Sequence, residues 1–575
     1  VLIKYFSNFE INQILLNDIN DLSIENFNLL ENYQELLIPK IDRRINGAFF
    51  TPKNIVKKII QELKPNEKDK CVDISCGSGA FLIELIEYFS NNFNKKIKDV
   101  LKENIFGYDI LNYNIRRAKI LITIYALERN ELIEEKDFNL ITTDSLKHKW
   151  EDKFEIVIGN PPYIKFQDLD LETRTFLKSE FSTINKGTYN IYFAFFELGF
   201  NLLSSKGKLG YITPNNYFTS LSGQQLRHFF HKNNSIYKII DFNSKKVFDV
   251  LTYTCLTFIN KKNNRFIEFK KFFGGNFENF IENINSRLSK VYYNELKEKK
   301  WRLLENSDQK NIKNIENCGR KLSDLFVINV GIATLRDDLY FIDGEDKNGF
   351  YKLFDEKKYY IDNDLVKAIY KISDFKNQNE CDLNKRKIIF PYKNFNQKNE
   401  VIDIQEMNKK YSSTMKYFVK IKKLLLKRFK KDIPSPYYQY GRSQGLNKFG
   451  IRLLTPTFSN KPKFLKVENK HSLYCNGYGI HYRSDQNQET IFDKTPLQNP
   501  KNIDILQRIL NSKIMDYYIR TTSVTIDGGF PCYQKNFIEL FTIPELSNHD
   551  LQLLDKLSET EFEKKLMEIY DVSIC

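Results

Sequence analysis

Between positions 47 and 262, apolar residues fall by turns into short solid runs and into helical periods, the alternation of a sheet whose strands are joined by helices. The run at 154–158, Phe-Glu-Ile-Val-Ile, is almost wholly apolar and too short for a helix, so it predicts a strand buried on both faces. Three shorter runs precede it. They end at Asp73, Asp109 and Asp144, and the first leads into a Gly-rich turn and a helical period through Leu85 and Ile86. Beyond it the pattern predicts a polar, mobile loop to Thr188, a helix over 189–203, a strand over 208–214 closed by Pro214, a strand over 236–242 and an alternating strand over 253–260. With Asn160 after the central run, four strand ends in series carry a polar residue. Open sheets of this kind bind ligands at the carboxyl ends of their strands.

The flanks read differently. Residues 1–46 carry one helical pattern, Phe27, Leu30, Tyr33, Leu36 and Leu37, and nothing chemical. Residues 263–315 are rich in Lys and Asn and weakly periodic, which predicts a connector with some helix. From Leu322 onward the apolar runs shorten into β-like segments. Within that region Lys416, Lys420, Lys423, Lys427 and Lys430 recur at helical spacing, with Ile421, Leu424, Leu425 and Phe429 largely elsewhere, so a basic amphipathic helix is expected. The stretch 549–570 predicts a terminal helix.

Length and charge add to this picture. A chain of 575 residues exceeds one ordinary domain, and two or three are expected. The 88 Lys and Arg against 73 Asp and Glu leave a formal charge of +15, which favours a polyanionic partner. No run of 18 apolar residues and no apolar signal core occur, so a soluble intracellular protein is expected, with no membrane partner. The eight cysteines are scattered without a Cys-x-x-Cys pair, which argues against a zinc ribbon or a disulfide framework, and no metal is expected. His228 and His231 lack flanking acidic or Cys ligands and read as one face of a surface helix. Pro531-Cys532, a pair that serves as nucleophile in cytosine carbon-5 methyltransferases, falls in the last tenth of the chain and reads as coincidence.

Two stretches carry the chemistry. At Asn160-Pro161-Pro162-Tyr163, consecutive prolines fix two φ angles and remove two donors, leaving a stiff corner. There the Asn160 amide oxygen and the Pro161 carbonyl can both accept, beside the aromatic face of Tyr163. Such a pair of acceptors suits a planar amine held by its two N–H groups. Upstream, Asp73-Ile74-Ser75-Cys76-Gly77-Ser78-Gly79-Ala80-Phe81 joins a strand to a helix through a turn in which Gly77 and Gly79 let backbone approach a ligand at a helix N-terminus. Asp109, 36 positions after Asp73, is placed to take ribose hydroxyls.

In combination these motifs resemble those of S-adenosylmethionine-dependent DNA adenine-N6 methyltransferases of restriction-modification systems, in the gamma order of cofactor site, catalytic site and recognition domain. The resemblance covers residues 47 to about 260 well. It implies an α/β fold: a Rossmann-like doubly wound methyltransferase sheet followed by a mixed α/β C-terminal target-recognition domain. The domains expected are a helical extension at 1–46, a catalytic domain at 47–262, a connector at 263–315, a recognition domain at 316–545 and a C-terminal helix at 546–575. Segments at 326–334, at 437–442, and from 510–513 through Gly528, Gly529 and Phe530 are similar to parts of such recognition domains.

The same resemblance assigns roles. S-adenosyl-L-methionine is expected against Thr51, in the stretch Gly47-Ala48-Phe49-Phe50-Thr51-Pro52, and against Asp73, Cys76, Gly77, Gly79, Phe81, Asp109, Ile110, Asp144, Ser145 and Asn160. Asn160, Pro161, Pro162 and Tyr163 are the expected catalytic residues. Tyr163 and Phe248 are expected to stack on a base flipped out of the duplex. Lys420, Lys423, Lys427, Tyr440 and Arg442 are expected to touch DNA. The implied partners are double-stranded DNA and a separately encoded restriction endonuclease, in a bacterial cytoplasm at the nucleoid. Two rivals remain: a methyltransferase of RNA bases or protein glutamine, and a catalytically silent DNA-binding specificity component.

Overall fold

The computed structural model describes residues 51–248, 253–395, 398–429, 436–483, 495–526 and 530–574. The helical extension at 1–46, the stretch from Gly47 to Phe50, Lys430, Gly528 and Gly529 lie outside them. Two compact units are present, one ending at Asn306 and the other beginning at Ser307.

The first unit is built on nine strands: β1 (Cys71–Asp73), β2 (Ile105–Asp109), β3 (Asn139–Thr142), β4 (Phe154–Gly159), β5 (Leu203–Pro214), β6 (Ile236–Lys246), β7 (Tyr253–Asn260), β8 (Phe266–Lys271) and β9 (Ser289–Tyr292). Their spatial order is β3-β2-β1-β4-β5-β7-β6-β8-β9. The first five neighbours run parallel, and β7 is inserted antiparallel between β5 and β6. Parallel neighbours on both sides of β4 explain its solid apolar run. Ile156 and Ile158 enter one core and Val157 the other, on opposite faces of the sheet. Each such side chain contributes about 1.5–3 kcal/mol on burial.

Helices cover both faces. In α1 (Lys53–Leu63), Ile55, Val56, Ile59, Ile60 and Leu63 form the buried stripe, and α2 (Ala80–Phe93) follows the Gly-rich turn. Next come α3 (Asn112–Leu127), α4 (Leu171–Glu180), α5 (Tyr192–Leu202) and α6 (Gln224–Asn233). The stretch expected as a mobile loop to Thr188 contains α4. Asp170 caps that helix by accepting from the Thr173 amide at 2.8 Å, while Leu177 is its only buried residue among those described, so the apolar period is too thin to read. The stretch expected as a connector, 263–315, adds β8 and β9 to the sheet, and the sheet unit continues to Asn306.

The second unit contains an antiparallel sheet of Phe326–Val330, Gly477–Tyr482, Arg452–Pro456 and Leu465–Val467, in that order. A smaller sheet pairs Val366–Lys371 with Lys387–Ile389 and, in parallel, with Leu473–Cys475. The basic helix is present at Ser412–Leu426. The terminal stretch forms two helices instead of one, Asn548–Lys556 and Glu559–Tyr570, because Ser558 caps the second by accepting from the Glu561 amide.

Candidate active site

The sheet order reverses between β1 and β4, since β1 leads on to β2 on one side while β4 lies on the other. At the carboxyl ends of these strands opens a cavity of about 300 Å³. Thr51, Asp73, Cys76, Gly77, Phe81, Asp109, Ile110, Asp144, Ser145 and Asn160 all line it. Of the residues expected to hold a cofactor, only Gly79 is not in its wall.

The two glycines of the turn do different work. Gly77 faces the cavity with φ +55°, and a Cβ built there meets no atom within 4 Å, so a side chain would fill ligand space. Gly79, at φ +91°, is the left-handed N-cap of α2, and a Cβ there would lie 3.1 Å from the Ala118 Cβ on α3. Its smallness serves helix packing and turn conformation, not the approach to a ligand, which corrects the sequence expectation.

The carboxylates of the wall are held by backbone. Asp109 accepts from the Gly77 amide at 3.0 Å, the Leu111 amide at 2.8 Å and the Asn114 amide group at 3.1 Å. It therefore pins the Gly turn, and three of its roughly four acceptor sites are used within the chain. Burial raises its pKa against the opposing pull of those bonds. Asp73 is deeper. Its Oδ1 accepts from the Ser75 amide at 2.9 Å, and a Cβ on Gly159 would sit 2.6 Å from that same oxygen, so only glycine fits before Asn160. Burial pushes the Asp73 pKa up to about 8 despite the Ser75 bond, and nearby Asp109 pushes the same way. Ser145 spends its hydroxyl on the Ile74 carbonyl at 2.7 Å, tying the β3 loop to the end of β1. Asp144 accepts from the Leu146 amide, and Cys76 is buried.

A chain of side-chain bonds runs from this wall to the proline corner. The Asn160 Nδ2 donates to the buried Thr51 hydroxyl at 3.2 Å, and the Tyr163 hydroxyl donates to Asn160 Oδ1 at 2.6 Å and to the Ile212 carbonyl at 3.2 Å. In this arrangement the amide oxygen lies toward Tyr163 and the amide nitrogen toward Thr51. Burial of its hydroxyl holds Tyr163 well above the ordinary tyrosine pKa, so it stays a donor. The Phe248 ring lies 6.5 Å from that of Tyr163 at 62°, an edge contact within the core beneath the sheet. The two expected stacking rings are therefore neighbours, but not parallel leaves of an open slot.

Three features escaped the sequence. Helix α4 and the turn before it bring Leu169, Thr173, Phe176 and Leu177 into the cavity wall, and the Asp170 cap was the available signal. Tyr192 packs edge-on to Tyr163 at 6.1 Å and anchors its hydroxyl on the Asn216 side chain at 2.8 Å. Asp73 is wedged against Gly159, a contact between strands that no spacing reveals.

In the second unit, Lys420, Lys423 and Lys427 are exposed, and Lys420 pairs with Asp355 at 3.1 Å. Arg442 is exposed. Tyr440 is not: it is 2% exposed, and its hydroxyl donates to the Ile389 carbonyl at 2.7 Å, so it is core and the expectation of a DNA contact is withdrawn. Cys532 is also buried. His228 pairs with Glu298, and His231 meets the Tyr293 carbonyl. Among the described residues no cluster of three metal-ligating side chains occurs, and no helix is long and apolar enough to cross a membrane.

Sheet order and site define a class: the first unit is a Rossmann-like, doubly wound α/β sheet with its cavity at the carboxyl ends of the strands, and a further unit is appended. Residues 88–248 match the family described as Eco57I restriction-modification methylase. The chain is 27% identical to the type II restriction enzyme and methyltransferase RM.Eco57I of Escherichia coli, an alignment covering 86% of this chain and 56% of that protein, so it spans little more than half of that relative's length. It is 22% identical to the type II methyltransferase M.BanIII of Aneurinibacillus aneurinilyticus, covering 91% and 94%. The type IIL restriction-modification enzyme MmeI, solved in complex with DNA, shares the fold at TM-score 0.55 and 11% identity, covering 98% of this chain and 76% of that one.

Proposed function

We propose that this chain is a DNA methyltransferase of a restriction-modification system, and that it transfers a methyl group to the exocyclic N6 amine of an adenine flipped out of duplex DNA. The observation that carries the reading is the Thr51–Asn160–Tyr163 chain of hydrogen bonds, which joins the cavity wall to an oriented acceptor.

S-adenosylmethionine fits the cavity. The open space facing Gly77 would be lost to any side chain, and Ile110, 61% exposed beside Asp109, offers an apolar face to an adenine ring. Thr51, Asp73, Gly77, Asp109 and Ile110 would hold it, and when bound it supplies an electrophilic methyl on a sulfonium. Asn160 Oδ1 and the Pro161 carbonyl would then accept the two hydrogens of the adenine amine, directing its lone pair out of the ring plane. An amide oxygen has two acceptor sites, so an amine entering this corner would share Asn160 Oδ1 with the Tyr163 hydroxyl that orients it. The Tyr163 ring remains as a stacking face, and Phe248 would supply the second after turning. No covalent enzyme intermediate is needed, in keeping with the burial of Cys76 and Cys532. Orientation and fixed dipoles carry the rate enhancement.

Duplex DNA is the proposed partner because the chain is basic and its second unit presents an exposed lysine face, and because the relatives it matches are named as restriction-modification enzymes. RM.Eco57I is named as restriction enzyme and methyltransferase together, whereas M.BanIII is named as a methyltransferase alone, and a separately encoded restriction endonuclease is kept as a proposed partner. Tritiated cofactor offered in parallel with duplex DNA, RNA and protein tests the substrate. Label recovered in DNA as N6-methyladenine supports the reading, and label in RNA, in protein or in a cytosine product refutes it.

A further inference from the structure

Leu335 is a bulky residue at φ +61°, in the left-handed region that L side chains rarely adopt, and it is 48% exposed. The strain is held in place from several sides. The Thr334 carbonyl on one flank accepts from the Gly441 amide at 3.2 Å and from Arg428 Nη1 at 2.8 Å. On the other flank, the Arg336 amide donates to the Thr334 hydroxyl at 3.1 Å. The Ala333 carbonyl accepts from the Arg442 amide at 3.2 Å, and the Gly331 carbonyl from the Gln444 side chain at 3.1 Å. A Cβ on Gly441 would collide with the Leu335 side chain, so the partner turn is cut away to let this leucine lie across it. Two turns are thus stitched into one rigid tip with an apolar side chain in solvent.

The charges around the tip decide what it faces. Arg442, exposed, belongs to the stitched partner turn. Arg428, whose guanidinium grips the tip and also bonds the Tyr437 and Gln439 carbonyls, follows the helix Ser412–Leu426 that carries the exposed lysines, so the basic face and the tip are parts of one braced structure. The nearby acids are occupied: Asp338 is gripped by Arg336 at 2.6 and 2.9 Å, and Asp337 accepts from the Thr334 hydroxyl at 2.5 Å. Strain of this sort persists where the surroundings over-determine it. Glycine would remove the strain, and in doing so it would remove the side chain.

We propose that Leu335 reads a base edge of the DNA target, packing on the C5-methyl of a thymine in the major groove, with Arg442 beside it as a donor to base or phosphate. The inference rests on the DNA reading above. It separates labour within the second unit: the exposed lysines position the duplex through phosphates, and the strained tip contributes to choice of sequence.

The test uses the full chain, with its target first mapped from the methylated sites it leaves in DNA. Leu335→Gly, with Leu335→Ala as a second variant, is compared with the unaltered protein on duplexes carrying each single base-pair change and each thymine replaced by uracil, over a salt series. The Leu335→Gly protein is expected to melt no lower than the original. At one base pair its discrimination should fall by about fourfold, the share that one buried methyl contributes. Uracil at that position should weaken the original protein about fourfold, the worth of one buried methyl, and leave the variant unaffected. The salt slope should not change. Unaltered base-pair ranking in both variants, or a Leu335→Gly protein that no longer folds, overturns the inference while leaving the DNA reading intact. Failure of the original protein to methylate any duplex overturns the DNA reading first, and this inference with it.

Discussion

The Tyr163 hydroxyl donates to Asn160 Oδ1 at 2.6 Å, so the oxygen best placed to accept a substrate amine is already engaged by its own neighbour. The bond orients the amide and gives it a partner whenever the corner holds no base. Tyr163→Phe keeps the ring and removes that hydroxyl. A neutral hydrogen bond is worth about 1 kcal/mol, so turnover at saturating DNA should fall roughly fivefold. Tyr163→Ala should lose more, and it alone of the two should lose the fluorescence of a flipped 2-aminopurine at the target position. Equal loss of that signal in both variants would mean the ring does not stack.

Phe248→Ala addresses the second ring. Edge contact with Tyr163 at 62° means that the aromatic pair must turn to sandwich a base. Loss of one stacking face should weaken the extrahelical state by about 1–3 kcal/mol and lower the 2-aminopurine signal. An unchanged signal with a lowered melting temperature would assign Phe248 to the core alone.

The two glycines of the turn should separate in calorimetry. Gly77→Ala places a methyl in the cavity at φ +55° and should weaken cofactor binding more than tenfold with the fold retained. Gly79→Ala presses on Ala118 and the N-terminus of α2, so its effect should appear first as a lower melting temperature. Cofactor affinity unchanged in folded Gly77→Ala would remove the ligand from this turn.

Much of the first unit was legible because parallel strands buried on both faces write solid apolar runs, as at 154–158, and because strand-end acids mark the ligand side. Long-range choices were not. Asp109 was recognisable as an acid at a strand end, but its bond to Gly77 depends on how β2 sits beside β1. Gly79 and Tyr440 carry residue types that suit a site, and only packing shows that one fits a helix contact and the other fills a core. The strands at Phe266–Lys271 and Ser289–Tyr292 hid among lysines because, toward this edge of the sheet, only alternate positions are buried and each strand shows two of them among charged or partly exposed neighbours.

Asp73 predicts a pH dependence. Its folded pKa of about 8 lies well above the ordinary range of an aspartate, so the folded state holds the proton more tightly. The corresponding stability is present in full below pH 4 and is lost as pH rises through about 8. Asp73→Asn, which keeps an acceptor for the Ser75 amide, should melt with a shallower decline between those limits. A decline identical in both proteins would assign the pH dependence elsewhere.

The central claim is that Asn160 orients the amine, and methyl transfer by Asn160→Ala at saturating duplex tests it most directly, with cofactor affinity measured on the same preparation. The account predicts unchanged cofactor affinity within about twofold and a rate reduced a hundredfold or more, the loss of roughly 3 kcal/mol from one oriented acceptor. A folded Asn160→Ala protein that transfers methyl groups within about threefold of the original rate, a difference well under 1 kcal/mol, would contradict it.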